Sequence, residues 1–437
     1  VTRLGAIQNP IIPILRHREV GFITRQVATQ HFVVPGTWRG FDYTAMVHDA
    51  CAGQSVDVIE IDLVGLADGA GFRLPVDDPS RLPPAPTDDA VRWLYYSSGT
   101  TAAPKGARHT DASIMSASMG MLAGVGFNAH DVYPIAWPVS HIGGSTMLTT
   151  AIVSGFRMVL FDSFDATTSP ERMAAHRPTL LGTAVPFFRA FLDAQHRHGS
   201  APLFPQLRAG AFGGAPLPPE IHVEMRETFG VNLIGSWGLT EFPISTAAYA
   251  DDPNDVLEST VGRLSPGVSL RVVGADERDV APGGEGELRL KGPQCCQGYV
   301  DTDLDADGFD AGGWFRTGDL GCIGADGNVR ITGRLKDIVI RNAENISVLE
   351  IEDTLFRHPA VADVSVLGLP DARTGERVCA VVVLRPAATL TLQDLRAYCE
   401  AEGLARQKCP EQLEIVDELP RNPMGKVVKP QLRQRFG

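Results

Sequence analysis

The sequence predicts an α/β protein with a large N-terminal region, a β-rich stretch and a compact α+β unit at the C-terminal end. Three observations carry this. Between about residues 90 and 250, short apolar, β-branched runs alternate with helical stretches, the pattern of largely parallel sheets flanked by helices. From about 260 to 332, short strands follow one another between Gly and Asp turns. Beyond "GRLKD" (333–337), helix and strand patterns alternate again to the end of the chain.

Taken in order, "VTRLGAIQNPIIPILRHREVGFITRQVATQHFVV" (1–34) reads as strand, helix, strand. The proline-rich "RLPVDDPSRLPPAPTDDA" (73–90) is a linker. "AVRWLYY" (90–96), aromatic and β-branched, is a strand, and "DASIMSASMGMLAGVG" (111–126) is a helix with small residues on one face. "RMVLFD" (157–162), "SPERMAAHRPTLLGTAV" (169–185), "PLPPEIHVEMRETFG" (216–230) and "VNLIGSWG" (231–238) continue the alternation. "VGRLSPGVSLRVVG", "GEGELRLKG" and "GNVRITG" are the short strands of the β-rich stretch. In the last unit, "VLEIEDTLFRH" and "TLQDLRAYCEAEG" read as helices, "VADVSVLGLPD" and "ERVCAVVVLRP" as strands. No internal repeat is evident.

Composition narrows the function classes. A chain of 437 residues, 44% hydrophobic, holds two or three domains with cores of their own. Its net charge of −13 leaves no basic surplus for nucleic acid as the main partner. No apolar run reaches the roughly eighteen residues a membrane span needs, and no signal peptide is expected. Seven cysteines without a CxxC spacing read as reduced thiols of a cytoplasmic protein, and the adjacent Cys295 and Cys296 as ordinary side chains.

The stretch "SSGTTAAPKG" (97–106) carries the first chemical signal. Its hydroxyls, glycines and single lysine stand between a strand and a helix, where backbone N–H groups, hydroxyls and an ammonium converge on an anion. The spacing is not that of GxxxxGK[ST], and such residues also make ordinary surface loops, so phosphate is the expectation and nothing finer. Lysine is rare here: it stands only at 105, 291, 336, 408, 426 and 429. Lys105, Lys336 and Lys426 all fall in glycine-containing motifs, where a compact ammonium does what a guanidinium cannot.

Five segments then occur in a telling order: "YYSSGTTAAPKG", "SWGLTE" (236–241), "GWFRTGDLG" (313–321), "GRLKDIVIRNAENISVLEIE" (333–352) and "PRNPMGKVVK" (420–429). Together they resemble the adenylate-forming superfamily, the AMP-binding acyl-CoA synthetases and their kin. In detail the chain looks most like bacterial fatty-acid or alicyclic-acid CoA ligases. The resemblance runs the length of the chain. It implies an N-terminal adenylation core over 1–333 (β-rich subdomain about 260–332), a hinge, and a small mobile C-terminal domain over 334–437. It also implies an AMP-forming acid–thiol ligase that uses ATP, Mg²⁺ and CoA on a small-molecule carboxylic acid, acting alone or as a homodimer. The alternatives are an acyl-adenylate ligase that loads a carrier protein, and a non-catalytic homologue. An early strand–helix layer of the family has no counterpart in the sequence.

The resemblance also assigns residues. Ser97, Ser98, Gly99, Thr100, Thr101 and Lys105 would wrap the β- and γ-phosphates. Gly213, Gly214, Ala215 and Pro216 would line one side of adenine, with Ser236, Trp237 and Gly238 on the other. Trp237 stands where a stacking tyrosine is usual. Thr240 would join the phosphate contacts, and Glu241 would hold Mg²⁺ through oxygen. Asp319 would accept both ribose hydroxyls and Arg334 would contact the ribose or α-phosphate. Lys426 would serve adenylation, Lys336 would be the hinge, and Asn342, Ala343 and Asn345 would form the CoA loop. The usual glycine pair is "NA" here, and Ala102 replaces a loop glycine. His141 matches a position beside the acyl and pantetheine channels. No Asp follows it, which favours an uncharged acyl group. Small residues at 143, 144, 213, 214 and 236 would leave room for a bulky or long acid.

Overall fold

The computed structural model describes residues 1–61, 78–85, 89–97, 104–214, 217–341, 344–371, 373–422 and 425–437. It is a mixed α/β protein with a large N-terminal part and a smaller C-terminal one. In the large part, parallel pairing joins His31–Val34 to Asp57–Glu60 and Val132–Ile135 to Arg157–Leu160. It also joins Leu180–Leu181, Ala209–Gly213 and Asn232–Trp237. The last of these sheets is extended antiparallel by Thr246–Ala247 and Arg263–Leu264. Its main core packs Phe187, Phe188, Phe191, Ile221 and Met225 from two helices, Val185–His198 and Pro219–Phe229, against Leu180, Leu181, Leu233 and Ile234 of the strands. Burying a side chain of that size contributes about 1.5–3 kcal/mol.

The helix Asp111–Val125 shows why its sequence is small on one face. A Cβ on Gly124 would stand 2.4 Å from Ala247 Cβ, and one on Gly120 2.7 Å from Ser265 Oγ, so only glycine lets the helix lie this close to the neighbouring strand and loop. Thr110 caps its start, accepting from the Ser113 amide, and Gly126 ends it with φ +66°.

The β-rich stretch is a four-stranded antiparallel sheet of Ser269–Val273, Gly286–Lys291, Phe315–Ile323 and Val329–Arg334. A cluster of Trp237, Phe242, Leu288, Leu290, Phe315 and Val329 welds it to the end of the parallel sheet. The chain then crosses through the one-turn helix Leu335–Asp337 into a five-stranded sheet. There Glu344–Ser347, Ile338–Arg341, Gly375–Leu384 and Val361–Asp371 lie in order, with Gln412–Ile415 paired parallel to Gly375–Leu384. Helices Val348–Phe356 and Leu392–Ala401 cover it through Ile351, Leu355, Leu395 and Cys399.

Two local expectations change. Residues 5–13 make no strand, only a single bridge from Gln8 to Trp93. "KGARHT" is a strand, Lys105–Thr110, folded back antiparallel on Val91–Ser97. A helix N-terminus therefore does not follow the hydroxyl-rich loop directly; six strand residues and the Thr110 cap stand between them. No helix among the described residues is long and apolar enough to cross a membrane.

Candidate active site

The end of the Asn232–Trp237 strand sets the first group of side chains. Gly238 makes the turn possible, since a Cβ there would lie 2.4 Å from the Ile244 amide. Leu239 and Phe242 exchange backbone hydrogen bonds around the bend, which presents Thr240 and Glu241. The Glu241 carbonyl accepts from the Cys296 amide at 2.8 Å, and its carboxylate Oε1 accepts from the Tyr299 hydroxyl at 2.8 Å. Tyr299 is buried. Burial, and then the Glu241 charge, push its phenol far above the usual range, so it stays a donor. The segment carrying Tyr299 lies along the Lys105–Thr110 strand: Gln297 and Val300 donate to the Arg108 and Gly106 carbonyls, and Arg108 donates back to Gly298. Lys105 Nζ stands 5.7 Å from the Tyr299 ring centroid. Lys105, Tyr299 and Glu241 thus form one cluster, with Lys105 at the mouth of the hairpin opposite Ser97.

A second cluster stands on the antiparallel sheet. Asp319 and Arg334 are cross-strand partners, and Arg334 Nε meets Asp319 Oδ1 at 2.6 Å. Trp237 Nε1 donates to Asp319 Oδ2 at 2.8 Å. The carboxylate is 2% exposed, and Trp237 is packed in the cluster that joins the two sheets, so its indole N–H orients Asp319. Lys426 approaches the same place from the C-terminal part. Its loop is folded by Asn422, which accepts from the Lys426 amide at 2.9 Å, and Gly425 bends it against Ala184 and Pro186. The Lys426 side chain is open to solvent. Crowding by the surrounding protein costs its ammonium part of its hydration; that, and then the Arg334 charge, draw its pKa down to about 8 against the pull of Asp319 and Asp337.

His141 caps the Ile142–Ser154 helix, its Nδ1 accepting from the Gly143 amide at 3.3 Å. Desolvation lowers its pKa to about 4, so the ring is neutral with the proton on Nε2. The small residues expected to line an acyl pocket divide into two kinds. A Cβ on Gly144 would strike the Val139 carbonyl at 1.9 Å, and one on Gly213 would meet Ser236 Oγ at 2.8 Å, so these two serve close packing. Gly143 has room only for ordinary contact, a Cβ there lying 3.6 Å from the Trp137 ring and 3.7 Å from His141 Nδ1, whereas Gly214, at φ +80° with nothing within 4 Å, borders open space. Ser236 donates to the Phe212 carbonyl.

Ser98, Gly99, Thr100, Thr101, Ala102, Ala215, Pro216, Asn342 and Ala343 lie outside the described residues, as do the side chains of Ser97 and Asn345. Asn345 is paired through its backbone with Ile340. Lys336 is exposed in the one-turn crossing helix. Among the described residues no group of three or more His, Cys, Asp or Glu could hold a metal. A single carboxylate, Glu241, in one cluster with Tyr299 and Lys105, fits Mg²⁺ that arrives on a nucleotide and keeps its waters. Tyr299 was not legible as a site residue: "QGYV" carries no chemical signal, and its partner is 58 positions away.

The family model described as AMP-binding enzyme matches residues 1–300, and the one described as AMP-binding enzyme C-terminal domain matches 350–426. A medium-chain fatty-acid–CoA ligase of Escherichia coli (strain K12) is 30% identical over 441 residues, covering 99% of this chain and 77% of that protein. A sulfoacetate–CoA ligase of Cupriavidus necator is 34% identical over 428 residues, covering 97% and 81%. Among solved structures, ATP-bound MatB from Rhodopseudomonas palustris superposes with a TM-score of 0.85 at 28% identity, covering 99% of this chain and 84% of that one.

Proposed function

The chain belongs to the AMP-binding enzyme family, and on that premise we propose that it is an ATP-dependent acid–CoA ligase acting on a carboxylate whose acyl group carries no further charge. In the first step a carboxylate oxygen attacks the α-phosphorus of ATP and pyrophosphate leaves. In the second the CoA sulfur attacks the acyl carbonyl, the thiol proton is lost and AMP leaves. The observation that carries this reading is the arrival of Lys426, from the C-terminal part, at the Asp319–Arg334 pair of the N-terminal part. Asp319 holds the ribose hydroxyls there, and Arg334 and Lys426 face the α-phosphate as negative charge builds. Glu241, Lys105 and Thr240 meet the far phosphates. Mg²⁺, held through Glu241, would neutralise part of their charge. The neutral His141, with Gly143 beside it, would stand on the acyl side.

The test is pyrophosphate release over a panel of aliphatic, alicyclic and aryl acids, with and without CoA. The expected result is acid-dependent release that turns over repeatedly only when CoA is present. No release with any acid would overturn the enzyme assignment. Turnover with an acyl carrier protein but not with CoA would move the acceptor.

Lys105 gives a sharper check of the phosphate end. Lys105→Ala weakens ATP binding by about 1–3 kcal/mol, the scale of one charge-assisted hydrogen bond. AMP lacks the β- and γ-phosphates and keeps its affinity. Separate titrations of the two nucleotides decide it, and equal losses would mean that Lys105 supports the fold in general.

A further inference from the structure

His109 has no part in the chemistry above, yet it is fully buried with both ring nitrogens engaged. Nε2 lies 2.8 Å from the Thr240 carbonyl oxygen and Nδ1 3.0 Å from the Ser113 hydroxyl. A carbonyl can only accept, so Nε2 bears the proton. Burial lowers the pKa to about 4, which keeps the ring neutral and leaves Nδ1 to accept from Ser113. The surroundings therefore fix both charge and tautomer.

What the ring connects gives it meaning. His109 is on the strand that begins with Lys105, and Ser113 belongs to the reciprocal cap, with Thr110, that starts the next helix. Thr240 and Glu241 are held at successive carbonyls, the first by His109 and the second by the Cys296 amide. The segment of Cys296 and Tyr299 is itself hydrogen-bonded to the His109 strand through Gly106 and Arg108. One strand thus governs the turn from both sides.

We propose that His109 is a positioning residue that fixes the Thr240–Glu241 turn relative to Lys105, so that the oxygens and the ammonium meeting a nucleotide's far phosphates and its Mg²⁺ form one rigid frame. This rests on the adenylating reading of the site, but its test does not need turnover. The measurement is ATP binding as a function of Mg²⁺ concentration, with AMP binding in parallel, for the wild type, His109→Ala and His109→Gln. His109→Ala raises the Mg²⁺ concentration at half-saturation by about tenfold, the lower end for loss of a group that orients a metal ligand, and changes AMP affinity by less than about twofold. His109→Gln, whose amide N–H reaches the same carbonyl, recovers most of the loss. Should His109→Ala fail to fold, His109→Asn, polar but too short to span to Thr240, takes its place. The proposal is overturned by an unchanged Mg²⁺ requirement, by a parallel loss of AMP, or by a Gln variant no better than Ala or Asn. If the wild type binds ATP with Mg²⁺ but adenylates no acid, the ligase reading fails and His109 is still decided by these titrations. Wild-type ATP binding that ignores Mg²⁺ overturns both.

Discussion

Lys426→Ala lowers the rate of acyl-adenylate formation by about 10²-fold or more, the scale of removing one preorganised charge from a phosphoryl-type transition state. The same variant forms thioester from supplied acyl-adenylate at close to the wild-type rate. The reason is placement. Lys426 reaches the Asp319–Arg334 pair from a loop of the C-terminal part, pinned by Asn422 and bent at Gly425 against Ala184 and Pro186. In the second step the sulfur displaces AMP at the acyl carbon and no bond to phosphorus forms or breaks, so the transition state that the ammonium would serve does not arise there. Its lowered pKa adds a signature. The charged form is the useful one, and its population falls as pH rises through about 8. The kcat/KM for adenylation is therefore flat below that pH and declines above it. In Lys426→Arg, whose guanidinium stays charged, the decline at pH 8 disappears even though the shape is wrong and the rate is low. Pyrophosphate exchange and thioester formation, assayed separately across pH, read all of this. Equal loss in both half-reactions would exclude a step-specific role for Lys426.

Lys336→Pro does the reverse: adenylation persists, and the CoA half-reaction falls by about 10²-fold or more, the scale at which misplacing reacting groups is felt. Lys336 is in the one-turn helix Leu335–Asp337 that links the last strand of the antiparallel sheet to the first of the C-terminal sheet. We propose that it is the hinge. A 3₁₀ turn has φ near the −65° that proline enforces, so proline fits the conformation seen here and opposes departure from it. It also disfavours the helical ψ of the preceding Leu335, so the fit is that of residue 336 itself and Leu335, exposed, must adjust. Single-turnover measurement of each half-reaction separates the effects. Normal overall turnover with CoA would remove Lys336 as the pivot.

Motifs and periodicity exposed more than pairing did. The helix at 111–125, the antiparallel sheet after 260 and the C-terminal α+β unit were all visible, because each rests on a local pattern of its own. "KGARHT" was not read as a strand, because its glycine and charges carry little β propensity; it is held there by ladders with Val91–Ser97 on one side and Gln297–Val300 on the other. The apolar run before residue 14 failed in the opposite sense. Pro10 and Pro13 lack the N–H groups a ladder needs, so β-looking composition gave no strand. In the site, the glycine-rich and charged motifs stood out, whereas His109 and Tyr299 did not. Their partners, Thr240 and Glu241, are 131 and 58 positions away, and no local pattern encodes such a meeting.

The cross-strand pair Asp319–Arg334 has a further consequence. Both residues precede Lys336 in the chain, so a rotation of the C-terminal part about that point carries Lys426 away and leaves the ribose clamp where it was. In the proposed reaction the mixed anhydride stays tethered by its nucleotide end while its acyl end changes company. On that proposal the protein would keep custody of an intermediate that water would destroy, and the clamp, not the moving part, would time the departure of AMP.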